Sequence, residues 1–180
     1  MKELSLNILD IAKNSVTAGA SLVEISVTER NDRLTITVGD NGCGMTPEFV
    51  ARVTDPFTTT RTTRKVGLGI PLLQMEARMA GGDLTIESEV GVGTTLKAWF
   101  DMKNIDMPPL GDLTSSIVTL IQGSPDIDFL FTHTVEGEGY TLDTREIREI
   151  MGDISLAEPE VLSWLADFLT ENESTLRREA

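Results

Sequence analysis

Along residues 3 to 18 the apolar positions Leu4, Ile8, Ile11, Ala12 and Val16 recur at three- and four-residue intervals, which predicts an amphipathic helix ending at the small-residue turn AGAS. The period then changes. LVEISVTE (22–29) and RLTITVGD (33–40) alternate apolar and polar residues around a short polar turn at Asn31 and Asp32, which predicts a β-hairpin. Thr46, Pro47 and Glu48 mark a helix start, with threonine as N-cap and proline at the first helical position, and the helix runs to about Val53. DPFTTTRTTRKVGLG (55–69) is polar and glycine-punctuated and is expected to be loop. Ile70 to Ala80 is a second helical segment, closed by Gly81 and Gly82. DLTIESE and TTLKAWFDM add two alternating strands joined by the turn VGVG.

Hairpins separated by helices point to an α+β two-layer sandwich rather than a doubly wound parallel sheet. After Met102 the pattern changes at NIDMPPLGD, which marks a boundary between a domain at 1–102 and a small α+β extension at 103–180. Within the extension a helix is expected over Leu113 to Ile121, a hairpin from IDFLFTHTV, EGEG and YTLDT, and helices over Thr144 to Met151 and Pro159 to Leu169. Trp164, Leu165, Phe168 and Leu169 form an apolar stripe that reads as core. The last ten residues are mostly polar and are expected to fray.

Charge narrows the function classes. Fifteen basic against 29 acidic residues give a net charge of −14, which opposes binding to nucleic acid or anionic membrane. No run approaches the ~20 apolar residues of a membrane span. The N-terminus lacks the features of a signal peptide, and one cysteine allows neither an internal disulfide nor a zinc site, so a cytoplasmic protein is expected. Arg61, Arg64 and Lys65 fall in a stretch without acids between Asp55 and Glu76, the one sizeable local reversal of sign before the C-terminal tail.

Four short elements carry candidate chemistry. Asp10 and Asn14, four apart, share one helix face. The amide oxygen suits magnesium, and the carboxylate could orient a water or accept a proton during phosphoryl transfer. Two polar residues on the wet side of a helix would look the same. DNGCGM (40–45) follows a strand: Asp40 could accept a hydrogen bond from an exocyclic amine while glycines let the backbone approach a flat ring, although Asp-Asn-Gly is also good β-turn chemistry. Gly67-Leu68-Gly69 enters a helix, whose N-terminal N–H groups favour anions, and the basic trio before it could meet terminal phosphates. GVGTT (91–95), taken alone, is a hairpin turn.

In order and spacing these elements resemble the GHKL ATPases, which include histidine-kinase catalytic domains, anti-sigma serine kinases, gyrase B subunits, chaperones and MutL proteins. Asp10 to Asn14 matches the N box, DNGCGM the G1 box, Asp55 to Phe57 the F box, GLGI the G2 box and GVGTT the G3 box, over residues 3 to about 101. The resemblance implies the GHKL (Bergerat) sandwich, a mixed sheet with helices on one face, holding ATP and Mg2+. It implies that Asn14 binds magnesium, Asp40 recognises the adenine amino group, Gly42 and Gly44 line the base pocket, Gly67 and Gly69 hold phosphates, and Thr94 contacts the adenine region. Met45, Phe57, Arg61, Lys65 and Leu68 complete the implied nucleotide site, under a short lid at Thr58 to Val66. PFTTTR, GLGIPLLQ and GGDLTIESEVGVGTT are most similar to short-lid histidine kinases, while NSVTAGAS is similar to the MutL helix. Family members that turn over ATP usually carry glutamate where this chain has Asp10, one methylene longer.

Histidine kinases present their phosphoacceptor on an upstream helix, whereas here the pattern begins at residue 3. The acceptor is therefore expected on a partner protein, with Asp10 as catalytic base and residues 103–180 for docking. An ATP-dependent switch or slow ATPase without transfer to protein is the alternative, a binding module without turnover a third, and a homodimer is left open. The single histidine, His133, is expected to be an ordinary partly buried or surface residue rather than an acceptor, and Cys43 a variable turn residue.

Overall fold

In the computed structural model, which describes residues 3–55 and 69–179, the alternating stretches form one six-stranded sheet in the order β3-β4-β2-β1-β5-β6. The hairpin of β1 (Leu22–Arg30) and β2 (Arg33–Asp40) lies at its centre, closed by Asn31 and Asp32, both with φ near 55° as a tight right-twisting turn requires. β3 (Asp83–Glu89) and β4 (Gly93–Asp101) extend it antiparallel on one side. β5 (Asp128–Val135) joins β1 in parallel on the other, and β6 (Glu138–Asp143) pairs antiparallel with β5 at the edge. The residues after 102 thus continue the same mixed sheet.

The strands alternate strictly. Val23, Ile25 and Val27, Leu34, Ile36 and Val38, Leu96, Ala98 and Phe100, and Phe129 and Phe131 are buried, while their neighbours form the more open face. The helices cover the buried face: α1 (Leu4–Thr17), α3 (Gly69–Met79), α4 (Leu113–Gly123) and α6 (Pro159–Glu179), with α2 (Pro47–Val53) and α5 (Thr144–Met151) at the ends of strands. One hydrophobic cluster runs from Leu4 of α1 to Leu169 of α6, so the core passes across the compositional boundary at Met102. Each fully buried Leu, Ile or Phe in it contributes about 1.5–3 kcal/mol. This is the α+β two-layer sandwich expected from the pattern. Among the described residues, no helix is long and apolar enough to cross a membrane.

Local signals act as read. Thr46 Oγ1 accepts the N–H of Phe49 and caps α2, and the N–H groups of Gly81 and Gly82 close α3 on the carbonyls of Arg78 and Ala77. α1 has no side-chain cap. Its first N–H groups, from Leu4 and Ser5, donate instead to the carbonyls of Pro109 and Leu110, so the connector after β4 anchors the helix that carries Asp10 and Asn14.

Three expectations are corrected. Of the last ten residues, those described, 171–179, do not fray: α6 continues to Glu179, because Leu176 is buried and Glu173 reaches inward to His133 and Tyr140. His133 is neither partly buried nor on the surface but 1% exposed, at an inward position of β5 after Phe129 and Phe131. Of the apolar stripe on α6, Leu165 and Leu169 are core, whereas Trp164 is half exposed and stacks on Phe168.

Candidate nucleotide-binding site

The motif residues within the described chain converge where α1, the end of β2, the start of α3 and the start of β4 meet. Asp40 closes β2 and pairs in register with Thr94 of β4. One of its carboxylate oxygens accepts the N–H of Gly42 (2.9 Å) and the other accepts the hydroxyl of Ser15 on α1 (2.6 Å). The carboxylate is thus held from two sides, and a carboxylate with about four acceptor positions keeps capacity for a further donor. Asn14 precedes Ser15 on the helix and is half-buried, and Asp10 lies one turn earlier and is exposed. Neither side chain has a hydrogen-bond or ion-pair partner among the described residues.

α3 opens beside Asp10. A Cβ built at Gly69 would lie 3.8 Å from the Cβ of Asp10, and the first turn of α3 holds no acidic residue. The positive end of that helix is left uncompensated by its own side chains. Farther along, Asn7 Nδ2 donates to Glu76 (2.6 Å) and fixes α1 against α3.

Two glycines are indispensable to the shape. Gly44 has φ 71° and a Cβ there would collide with the carbonyl oxygen of Glu89; Gly93 has φ 144° and a Cβ there would collide with the carbonyl oxygen of Asp40. The turns after β2 and before β4 are thereby pressed together. Cys43 N–H donates to Ala18 O, Gly91 N–H donates to Cys43 O, and Met45 N–H donates to Ser88 Oγ (2.8 Å). Ser88 in turn donates to Gly93 O (3.0 Å) and lies 2.8 Å from Thr94 Oγ1. One polar network therefore joins Met45, Ser88 and Thr94 beside Asp40.

Asp10, Asn14, Asp40, Gly42, Gly44, Met45, Gly69 and Thr94 are brought together. Phe57, Arg61, Arg64, Lys65, Gly67, Leu68 and the expected lid at 58–66 lie outside the described residues. Sequence reasoning passed over Ser15, Ser88 and Asn41. Ser15 continues the buried stripe Ile8, Ile11, Ala12, and Ser88 takes the inward position after Leu84 and Ile86, so a polar residue in an apolar register was the available signal.

The donor set fits magnesium and a nucleotide: hard oxygens on Asp10 and Asn14 without protein partners among the described residues, a carboxylate with spare acceptor capacity on Asp40, and a helix N-terminus whose own first turn holds no acid.

Residues 1–104 match the family described as histidine kinase-, DNA gyrase B-, and HSP90-like ATPase. The chain is 32% identical over 81 residues to a probable C4-dicarboxylate sensor kinase of Bacillus subtilis, covering 45% of this chain and 15% of that protein. It is 31% identical over 100 residues to the histidine protein kinase DivJ of Caulobacter vibrioides, covering 53% of this chain and 17% of that protein. The chain therefore spans less than a fifth of either relative. Among solved structures, the N-terminal domain of a DNA repair protein superposes with a TM-score of 0.56 at 16% identity, over 85% of this chain and 58% of that one, which shows a shared fold. The chain belongs to the histidine kinase-, DNA gyrase B-, and HSP90-like ATPase family, whose match covers residues 1–104.

Proposed function

We propose that this protein binds Mg-ATP at the Asp40 site and acts as a protein kinase in trans, passing the γ-phosphoryl group to a partner protein. The observation that carries the reading is the convergence of an anchored carboxylate, Asp40, with the oxygens of Asp10 and Asn14, which have no partners among the described residues, and the N-terminus of α3. In this reading Asp40 accepts the adenine amino group, Gly42, Gly44 and Met45 shape the base pocket, and Thr94 lies against it. Asn14 supplies an oxygen to magnesium, whose charge offsets that of the triphosphate. Gly69 presents its N–H toward phosphate, joined by Gly67 and Leu68, with Phe57, Arg61 and Lys65 contributing from the adjoining segment.

Asp10 is the base. Its carboxylate accepts the proton of the attacking hydroxyl or imidazole as the new bond to the γ-phosphorus forms and the bond from that phosphorus to the β,γ-bridging oxygen breaks, releasing ADP. Residues 103–180 serve as the docking region, and the protein works in the cytoplasm; the net charge of −14 keeps it from nucleic acid and anionic membrane.

The test is incubation with γ-labelled ATP and extract from the source cells. Label on a second protein that disappears with Asp10→Asn supports the kinase. Release of free phosphate without protein labelling would replace it with an ATP-driven switch, and bound nucleotide with neither would leave a module without turnover.

A further inference from the structure

Asn41 stands between the base-recognising Asp40 and Gly42, yet all of its side-chain hydrogen bonds run away from them. Its Oδ1 accepts the N–H groups of Ser21 (2.9 Å) and Leu22 (3.0 Å), and its Nδ2 donates to Ser21 Oγ (2.8 Å). Its own N–H donates to Leu22 O (3.4 Å). The turn that carries Asp40 is thereby fastened to the first residues of β1. An exposed turn asparagine could leave these groups to water, so three directed bonds on one side chain mark an imposed geometry.

The fastening continues. Ser21 O accepts the N–H of Asp128, the first residue of β5, at 2.9 Å. Asp128 accepts from Arg148 Nε of α5 at 2.7 Å, and Arg148 Nη2 donates to the carbonyls of Pro125 and Ile127. An unbroken run of hydrogen bonds thus leads from α5, far along the C-terminal segment, to the residue beside Asp40. Hydrogen bonds weaken steeply with misalignment, so the aim of a recognising carboxylate depends on the turn beneath it.

We propose that Asn41 is a positioning residue for base recognition and that Arg148, through Asp128 and Ser21, holds it in place, so that nucleotide selectivity depends on the segment after residue 102. The proposal rests on the reading of Asp40 as the adenine-recognising group. A role in base aim predicts loss of discrimination between bases, which a general loss of stability does not.

The test is titration of the full chain with Mg-ATP and Mg-GTP, with circular dichroism confirming the fold. Asn41→Ala is expected to weaken ATP binding roughly tenfold and to lower the ATP-to-GTP affinity ratio by a similar factor, and Arg148→Gln to act about threefold in the same direction. The double variant should fall little beyond Asn41→Ala, because both act through one path. Should Asn41→Ala fail to fold, Arg148→Gln carries the test from outside the nucleotide region. An unchanged ATP-to-GTP ratio in the folded variants overturns the proposal. No ATP binding by the unaltered protein overturns the Asp40 reading itself, a separate outcome.

Discussion

The two ends of the central hairpin are built on opposite plans. At the Asp40 end, Asp10 and Asn14 have no protein partners among the described residues and Asp40 keeps acceptor capacity. At the other end, six residues or about 20 Å away along β2, a buried polar cluster is fully engaged. His133 Nδ1 meets Glu173 (2.6 Å), its Nε2 meets Glu29 (2.9 Å), and Tyr140 donates its hydroxyl to the same Glu173 oxygen. Burial disfavours a charged imidazole there, but the hydrogen bonds and charges of Glu173 and Glu29 outweigh it and raise the His133 pKa to about 9. Burial also opposes ionisation of Glu173, yet the bonds from His133 and Tyr140 hold its pKa below the usual value, while Tyr140 is pushed up by burial and by Glu173. Polar groups of one sandwich thus differ between its two ends: at one they clamp α6 to β1, β5 and β6, and at the other they leave acceptor oxygens open.

The largest effect expected from breaking this contrast is at the saturated end. His133→Leu leaves Glu29 and Glu173 without their cation and should cost about 3–5 kcal/mol in chemical denaturation, while ATP affinity of the folded fraction stays unchanged. Retained stability would show that the cluster is not a clamp.

The same cluster makes stability depend on pH. Because the folded pKa of His133, about 9, lies above the unfolded value of 6.5, its contribution is fully present below pH 6.5 and is lost as pH rises through 9. The shift corresponds to about 3 kcal/mol. Melting followed between pH 6.5 and 10 should show the decline in the unaltered protein, and His133→Leu should flatten it.

At the unsaturated end the pattern reverses. Ser15→Ala removes one of the two bonds that hold Asp40 and should weaken ATP binding about fivefold, or roughly 1 kcal/mol. Smallest of all should be the effect of Asn14→Ala or Asp10→Asn on stability, within about 0.5 kcal/mol, since neither side chain holds the fold. A large destabilisation by either would mean that these oxygens are structural after all.

The element pattern was legible because period, caps and turn residues agree with the packing. The hairpin register, the Thr46 cap and the α3 stop all follow from local chemistry. The joining of β5 to β1 was not, since a parallel partner 106 positions away in register, Leu22 with Asp128, leaves no local trace. The expected fraying of the last ten residues failed for a related reason: the tail is polar by count, but Glu173 and Leu176 have partners brought by the fold. His133 and Ser15 lay within reach of the pattern, as polar residues in inward-facing positions. Residue type alone does not distinguish them from surface polar residues; register does.

Isothermal titration with ATP in the presence of magnesium tests the central claim most directly, comparing the unaltered protein with Asp40→Ala. One site per chain is expected, weakened about a hundredfold or more by the substitution. No binding by the unaltered protein, or undiminished affinity in Asp40→Ala, would contradict the account.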